Sequence, residues 1–341
     1  MNGSFIARLC AAISMMLVVC ASAVAEEAEY VIRFSHVVAP NTPKGRAADL
    51  FAKLVNERLA GKVRVEVYPN SELYDDDTIL PTLLLNSNEH FAVMAAPSLS
   101  KFLQFSEMLQ VFDLPFLFRN VEDVHKVTES PLVEEIIAPL EEKGFKALAF
   151  WDNGMKEFSV KADKPLRVVP DDFQGKRFRI QNSNVHAAMI EDLGGMPERL
   201  PFRVVYMSLN KGIVDGQENA WSNIYSQKFH TVQHWITVSD HSYLGYLVVV
   251  SNPFWKGLPE DIRGQLEAML REATLANQQY AAEEAISDRK KIEEQAGGAK
   301  IVELTAEERA QWKQATQEVE KRFAGEIGPE LLQRIHSLLD H

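Results

Sequence analysis

Arg179 is the residue around which chemistry can be built. It lies in Gly175-Lys176-Arg177-Phe178-Arg179-Ile180-Gln181-Asn182-Ser183, a basic segment that runs into amides and a hydroxyl. A guanidinium matches a carboxylate through two parallel charge-assisted hydrogen bonds and stays charged at any working pH. Alternation puts Phe178 and Ile180 on one face of a strand and Arg177, Arg179 and Gln181 on the other. A cleft-facing Arg179 is therefore allowed, as is a solvated one on an edge strand. Some forty residues on, Asp215-Gly216-Gln217-Glu218-Asn219 makes a turn-rich stretch whose Asn219 offers an amide to a carboxylate or simply shapes the turn. Trp221 just after it either walls a pocket or fills a core.

Other polar groups fall where strands are expected to end. Lys156 follows Asp152-Asn153-Gly154, read as a polar turn after a strand at 147–151. Ser98, Ser100 and Lys101 follow a strand at 91–95, and His36 with Lys44 follows one at 30–34. Open α/β proteins place ligands at such strand ends. Hydroxyls there can equally cap the next helix, and lone lysines are ordinarily solvated.

Two further patterns point away from metals. His230 and His234 are four apart, but Thr231 stands where a zinc protease needs its glutamate. Asp75-Asp76-Asp77 lacks the spacing and glycine of a calcium loop and reads as a solvated acidic turn. There is no nucleophile elbow or phosphate loop. His36 and His241 are the candidate bases of an exported enzyme, a remote alternative because neither has an evident nucleophile beside it.

The elements that would position these groups follow from periodicity. Pro43 opens a helix in which Leu50, Phe51, Leu54, Val55 and Leu59 recur at helical spacing, and Val63, Val65 and Val67 then alternate as a strand. Strand, helix, strand in this order specifies a parallel α/β unit. A strand at 243–250 is apolar enough to be central. Pro259 starts a long helix, and Thr305 with Glu308 forms a capping box before another. The fold class is α/β, with two lobes expected from the length of 341 residues. No flexible linker appears, so the lobes are expected to be joined by several crossings that suit hinge closure.

Residues 1–25 read as a secretory signal: Arg8, an apolar run from Leu9 to Val24, and a small-residue cleavage site at Ala23-Val24-Ala25. Both cysteines, Cys10 and Cys20, lie within it, so the exported chain has neither a disulfide nor a thiolate site. Val19 fits lipoprotein processing at Cys20 poorly. Removing Arg8 leaves 35 basic residues against 48 acidic, and no basic tract points to nucleic acid or an anionic membrane.

Several segments together resemble one family. They are Phe34-Ser35-His36 through Lys44-Gly45, Pro97-Ser98-Leu99-Ser100-Lys101-Phe102, Phe112-Asp113-Leu114-Pro115-Phe116 and Trp151-Asp152-Asn153-Gly154. Arg179-Ile180-Gln181-Asn182-Ser183, Val214-Asp215-Gly216-Gln217-Glu218-Asn219 and Phe254-Trp255-Lys256-Gly257-Leu258-Pro259 complete the set. In order and spacing they are similar to the solute-binding proteins of tripartite ATP-independent periplasmic (TRAP) transporters, nearest the C4-dicarboxylate branch. The resemblance implies a periplasmic protein with two discontinuous lobes, 26–152 with 243–285 and 153–242 with 286–341. It would capture succinate, fumarate or malate, deliver it to a membrane permease, and need no nucleotide; no cofactor or metal-ligating residue is expected. A 2-oxo acid, an aromatic acid or a sugar acid is the alternative within the family. By the same resemblance Arg179 forms the main salt bridge, Asn219 assists and Phe202 packs on the ligand. Lys156 stands where a related acid-sugar branch has a second arginine, while Ser98, Lys101, His36 and Lys44 serve the distal carboxylate and Tyr243 lines the cleft. Ala220 replaces a proline that many relatives carry.

Overall fold

The computed structural model describes residues 28–340; residues 1–25, expected to be a secretory signal, lie outside the described residues with both cysteines. In chain order the strands are β1 (Tyr30–Ser35), β2 (Val63–Tyr68), β3 (Phe91–Ala95), β4 (Phe145–Met155), β5 (Glu157–Val160) and β6 (Arg177–Ile180). β7 (Met196–Arg199), β8 (Gly216–Asn219), β9 (Trp235–Val238), β10 (Tyr243–Ser251) and β11 (Lys300–Glu303) follow. They form two sheets, ordered β2-β1-β3-β10-β4 and β11-β9-β5-β8-β6-β7, one in each lobe of an α/β fold.

The first unit assembles as its pattern requires. β1 pairs in parallel with β2 across the helix Pro43–Arg58. Thr42 caps that helix by accepting the Gly45 N–H at 3.2 Å, and Pro43 stands at its start, where no N–H is needed. Phe51, Leu54 and Val55 bury its inner stripe against Leu266, Met269 and Leu270 of the helix Glu260–Glu294. Each such side chain contributes about 1.5–3 kcal/mol on burial. Gly45 has no substitute here: a Cβ would lie 2.5 Å from the carbonyl oxygens of Ala39 and Pro40. That close approach presses the 39–41 loop onto the helix start and turns Lys44 inward, where it is 1% exposed.

β10 is buried along its whole length between β3 and β4, antiparallel to both, so this sheet is mixed. The expected turn at Asp152-Asn153-Gly154 does not form. Those residues continue β4, because β10 supplies their hydrogen-bonding partners, Leu244 opposite Gly154 and Gly245 opposite Asp152. A β-bulge takes up the extra residue there, and Gly154 has a φ of 134°, which a side chain would resist.

The chain passes between the sheets at Lys156, at Ser239–Ser242 and through the 35-residue helix Glu260–Glu294. The capping box forms, with Glu308 N–H on Thr305 and the Glu308 carboxylate on Thr305 N–H, and starts the helix Ala306–Ile327. That helix packs on Asn184–Asp192, while Pro329–Leu339 folds back on Val121–Thr128 beside the first sheet. The C-terminal helices thus brace both lobes. Among the described residues no helix is long and apolar enough to cross a membrane.

Candidate functional site

Arg179 lies on β6, its neighbours Phe178 and Ile180 buried in the apolar cluster as alternation requires. The guanidinium is fully buried. Its Nε donates to the Leu200 carbonyl at 3.0 Å, but Nη1 and Nη2 have no partner among the described residues. Burial lowers its pKa, with Glu218, Asp76 and Asp77 opposing that shift. A buried cation with two idle donors is costly unless something anionic satisfies them. The Phe202 ring centroid lies 6.0 Å from Cζ.

Phe202 in turn lines a cavity of about 10 Å³, room for one water, where the lobes meet; Arg179 itself stands behind that lining. The second sheet's lobe contributes Gln181, Phe202, Asn219 and Asn223; the first contributes Lys44, Asp76, Ser98 and Tyr246. Asn219 ends β8, and its Oδ1 accepts from Asn223 Nδ2 at 2.8 Å and from Ala220 N–H at 3.2 Å. What it can still offer is its NH₂, a donor suited to a carboxylate. Across the cavity, Lys44 Nζ donates to the Ala96 carbonyl at 2.9 Å and sits 3.6 Å above the Tyr246 ring. Burial lowers its pKa to about 7. Tyr246 accepts from Asn153 Nδ2 at 2.8 Å, leaving its own O–H free to donate.

Gln181 ties the two lobes together. Its Nε2 donates to Ser98 Oγ at 2.9 Å, and its Oε1 faces Ser100 Oγ and Lys156 Nζ, each at 3.4 Å. Arg203 faces Asp75 across the same seam at 3.6 Å. Anything larger than a water therefore enters only when these contacts part. Roomier clefts exist, such as one of about 540 Å³ near Arg289 and Lys300, but their charges already form ion pairs or lie open to solvent.

The remaining sequence candidates lie apart from this cavity. Lys156 is buried, but Glu218 meets its charge at 2.8 Å. Lys101 pairs with Asp77 at 3.1 Å. Tyr243 donates to Asp152 on the face of β10 opposite Tyr246, three residues on. Trp221 packs with Phe202, Val205 and Phe229 in a core cluster under the Arg289 guanidinium. His36 is buried in a smaller adjoining cavity with both ring nitrogens unpartnered; burial first, then Lys44, lowers its pKa to about 3, so it is neutral.

Sequence reasoning left out Gln181, Asn223, Tyr246 and Asp76. Gln181 was legible, two residues beyond Arg179 on one strand face. Asp76, read as part of a solvated turn, is instead 8% exposed. His230 and His234 share no helix; their rings meet the Ile224 and Ala162 carbonyls. His241 does have a hydroxyl beside it, Ser239 Oγ at 2.8 Å, with Glu218 at 3.9 Å on the other ring nitrogen. Ser239, His241 and Glu218 are fully buried away from the cavity.

Residues 34–326 match the family of bacterial extracellular solute-binding proteins, family 7, known as DctP. The chain belongs to this family. The C4-dicarboxylate-binding periplasmic protein DctP of Shewanella loihica is 44% identical over 301 residues, covering 88% of this chain and 87% of that one. A TRAP periplasmic solute-binding protein of Shewanella oneidensis, solved with bound succinate, superposes with a TM-score of 0.87 at 39% identity, covering 92% of this chain and 100% of that one. A third relative, from Pseudomonas aeruginosa PAO1 and solved with bound L-malate, has a TM-score of 0.81 at 40% identity over 86% and 99% of the two chains. The two-lobed α/β frame is thus that of DctP-type proteins.

Proposed function

We propose that this DctP-family protein is the periplasmic receptor of a TRAP transporter, that it closes on a C4-dicarboxylate such as succinate, fumarate or malate, and that it hands the acid to a membrane permease. The observation that carries the reading is the pair of buried, unpartnered Nη groups of Arg179 at a seam whose opposite wall holds a second buried cation, Lys44. Arg179 takes one carboxylate in a two-point grip, assisted by the Asn219 amide with Phe202 as a wall. Lys44, Ser98 and the Tyr246 hydroxyl take the other. Lys156 holds Glu218 in place, and His36, Lys101, Trp221 and Tyr243 lie outside the cavity, in the shell around the residues that grip the acid. We divide the lobes at 26–152 with 243–285 and 153–242 with 286–341, and place a cleaved export signal at 1–25. The protein acts by binding rather than turnover, since the serine–histidine pairs Ser239–His241 and Ser242–His186 are both sealed in the core.

The test is calorimetric titration of ligand-stripped protein with succinate, fumarate, L-malate, pyruvate and a sugar acid. Micromolar or tighter binding confined to the C4 acids is the expected result. Heat from another acid alone would overturn the ligand class, and conversion of any acid would overturn the receptor reading.

A further inference from the structure

The run Asp75-Asp76-Asp77 sits in the loop between β2 and the helix Ile79–Leu85, and its three carboxylates have different fates. Asp75 accepts from Asp77 N–H and Thr78 N–H, both at 3.1 Å, and faces Arg203. Asp77 pairs with Lys101. Asp76 between them points inward, borders both the acid cavity and the small His36 cavity, and has no hydrogen bond or ion pair among the described residues. The backbone bonds that Asp75 accepts lock the turn, so the inward direction of Asp76 is built in.

A carboxylate on the wall of an anion site repels the ligand it is meant to hold. The penalty is tolerable when cations surround it, as Lys44 and Arg179 do here. It becomes useful when the ligand carries a hydrogen-bond donor, because a buried carboxylate without one is costly and a bond to a charged acceptor is stronger than a neutral one. No described residue supplies such a donor to Asp76. An ammonium would suit Asp76 but would also face Lys44 and Arg179, whereas a hydroxyl carries no charge to repel.

We propose that Asp76 is a specificity residue, accepting a hydrogen bond from the hydroxyl of a 2-hydroxy C4-dicarboxylate, so that the site favours L-malate over succinate. The assignment rests on the dicarboxylate reading above. It separates the two roles of a carboxylate in the cavity, repulsion of every dianion and attraction of the hydroxyl alone.

The experiment is calorimetry of wild type, Asp76→Asn and Asp76→Ala with L-malate, succinate and L-aspartate. Wild type is expected to prefer malate to succinate. In Asp76→Asn succinate tightens several-fold as the like charge disappears, and the malate-to-succinate ratio falls about tenfold; Asp76→Ala removes the preference. Succinate binding doubles as the control for folding of the variants. An unchanged ratio with intact succinate binding overturns the assignment alone, as does tighter binding of L-aspartate than of malate to wild type. Weaker succinate binding in both variants would make Asp76 a scaffold of Lys44 instead and also overturns it. Wild type silent to malate and succinate overturns the dicarboxylate reading and this assignment together.

Discussion

Replacing Arg179 by methionine should make the empty protein more stable and the loaded one less so. The guanidinium is buried with Nη1 and Nη2 unpartnered, and only Nε is bonded, to the Leu200 carbonyl. Removing a buried ion of this kind relieves an effective penalty of several kcal/mol. Against that stands the Leu200 carbonyl, which loses its donor at a cost of about 1–3 kcal/mol. The balance is a gain of about 1–3 kcal/mol, or roughly 2–6 °C for a chain of this size. Binding moves the other way. A micromolar acid is held by about 8 kcal/mol, and leaving its carboxylate unpaired on closure forfeits about 3–5 of these, which takes the dissociation constant to roughly 0.2–5 mM. Thermal denaturation with and without 1 mM succinate reads both effects. Wild type should gain about 4 kcal/mol from a micromolar ligand at that concentration and the variant only about 0.1–1 kcal/mol, so the gap in stability between them closes or reverses. Arg179→Lys should also bind poorly, since a point charge cannot form the two-point grip. Equal ligand-induced shifts in wild type and Arg179→Met would refute the binding role. A less stable empty variant would refute the claim that the guanidinium is held for the ligand and not for the fold.

Lys44 links binding to pH. Its pKa in the closed, empty site is lowered to about 7 by burial, and a carboxylate beside Nζ restores the proton. Ligand binding should therefore take up about half a proton at pH 7 and about 0.9 at pH 8, with affinity falling up to about tenfold per unit above pH 7. Calorimetry in buffers of different ionisation enthalpy measures this, and buffer-independent heats at pH 8 would refute it. Gln181→Ala removes the bond to Ser98 and the acceptor facing Ser100. Losing about 1–2 kcal/mol of closed-state contact should speed ligand release roughly 5–30-fold with little change in association, as stopped-flow would show. Asp113, facing His186 at 3.6 Å, is pushed up to about 6 by burial, above its ordinary 3.8, even though Lys156 opposes the shift. The folded state therefore holds that proton longer than the unfolded one, and the stability it contributes is full below pH 4 and lost as pH rises through 6. Asp113→Asn should flatten this slope and be more stable than wild type at pH 7.5, by up to about 3 kcal/mol. Denaturant titrations at pH 4.5, 6 and 7.5 check it, and parallel profiles would sink it.

Local pattern was enough wherever an element is decided by its own residues. The valine alternation of β2, the stripe of Pro43–Arg58 and the Thr305 capping box all form as written, because period, cap and turn chemistry are short-range. The strand face shared by Arg179 and Gln181 is legible for the same reason. Asp152-Asn153-Gly154 was misleading, since turn-forming residues yield when a neighbouring strand, ninety residues away, provides their hydrogen bonds. Charge was less legible still. Lys156 and Lys44 look alike in the sequence, yet Glu218 neutralises one while the other meets a carbonyl and an aromatic face. Asp76 is likewise set apart from Asp75 and Asp77 only by where Arg203 and Lys101 end up. The sequence alone determined the α/β class, the family and the guanidinium that can meet an acid. Which polar groups remain free to bind was decided by the tertiary structure, because a donor is free only after every other donor and acceptor within reach has been paired, and those partners come from both lobes.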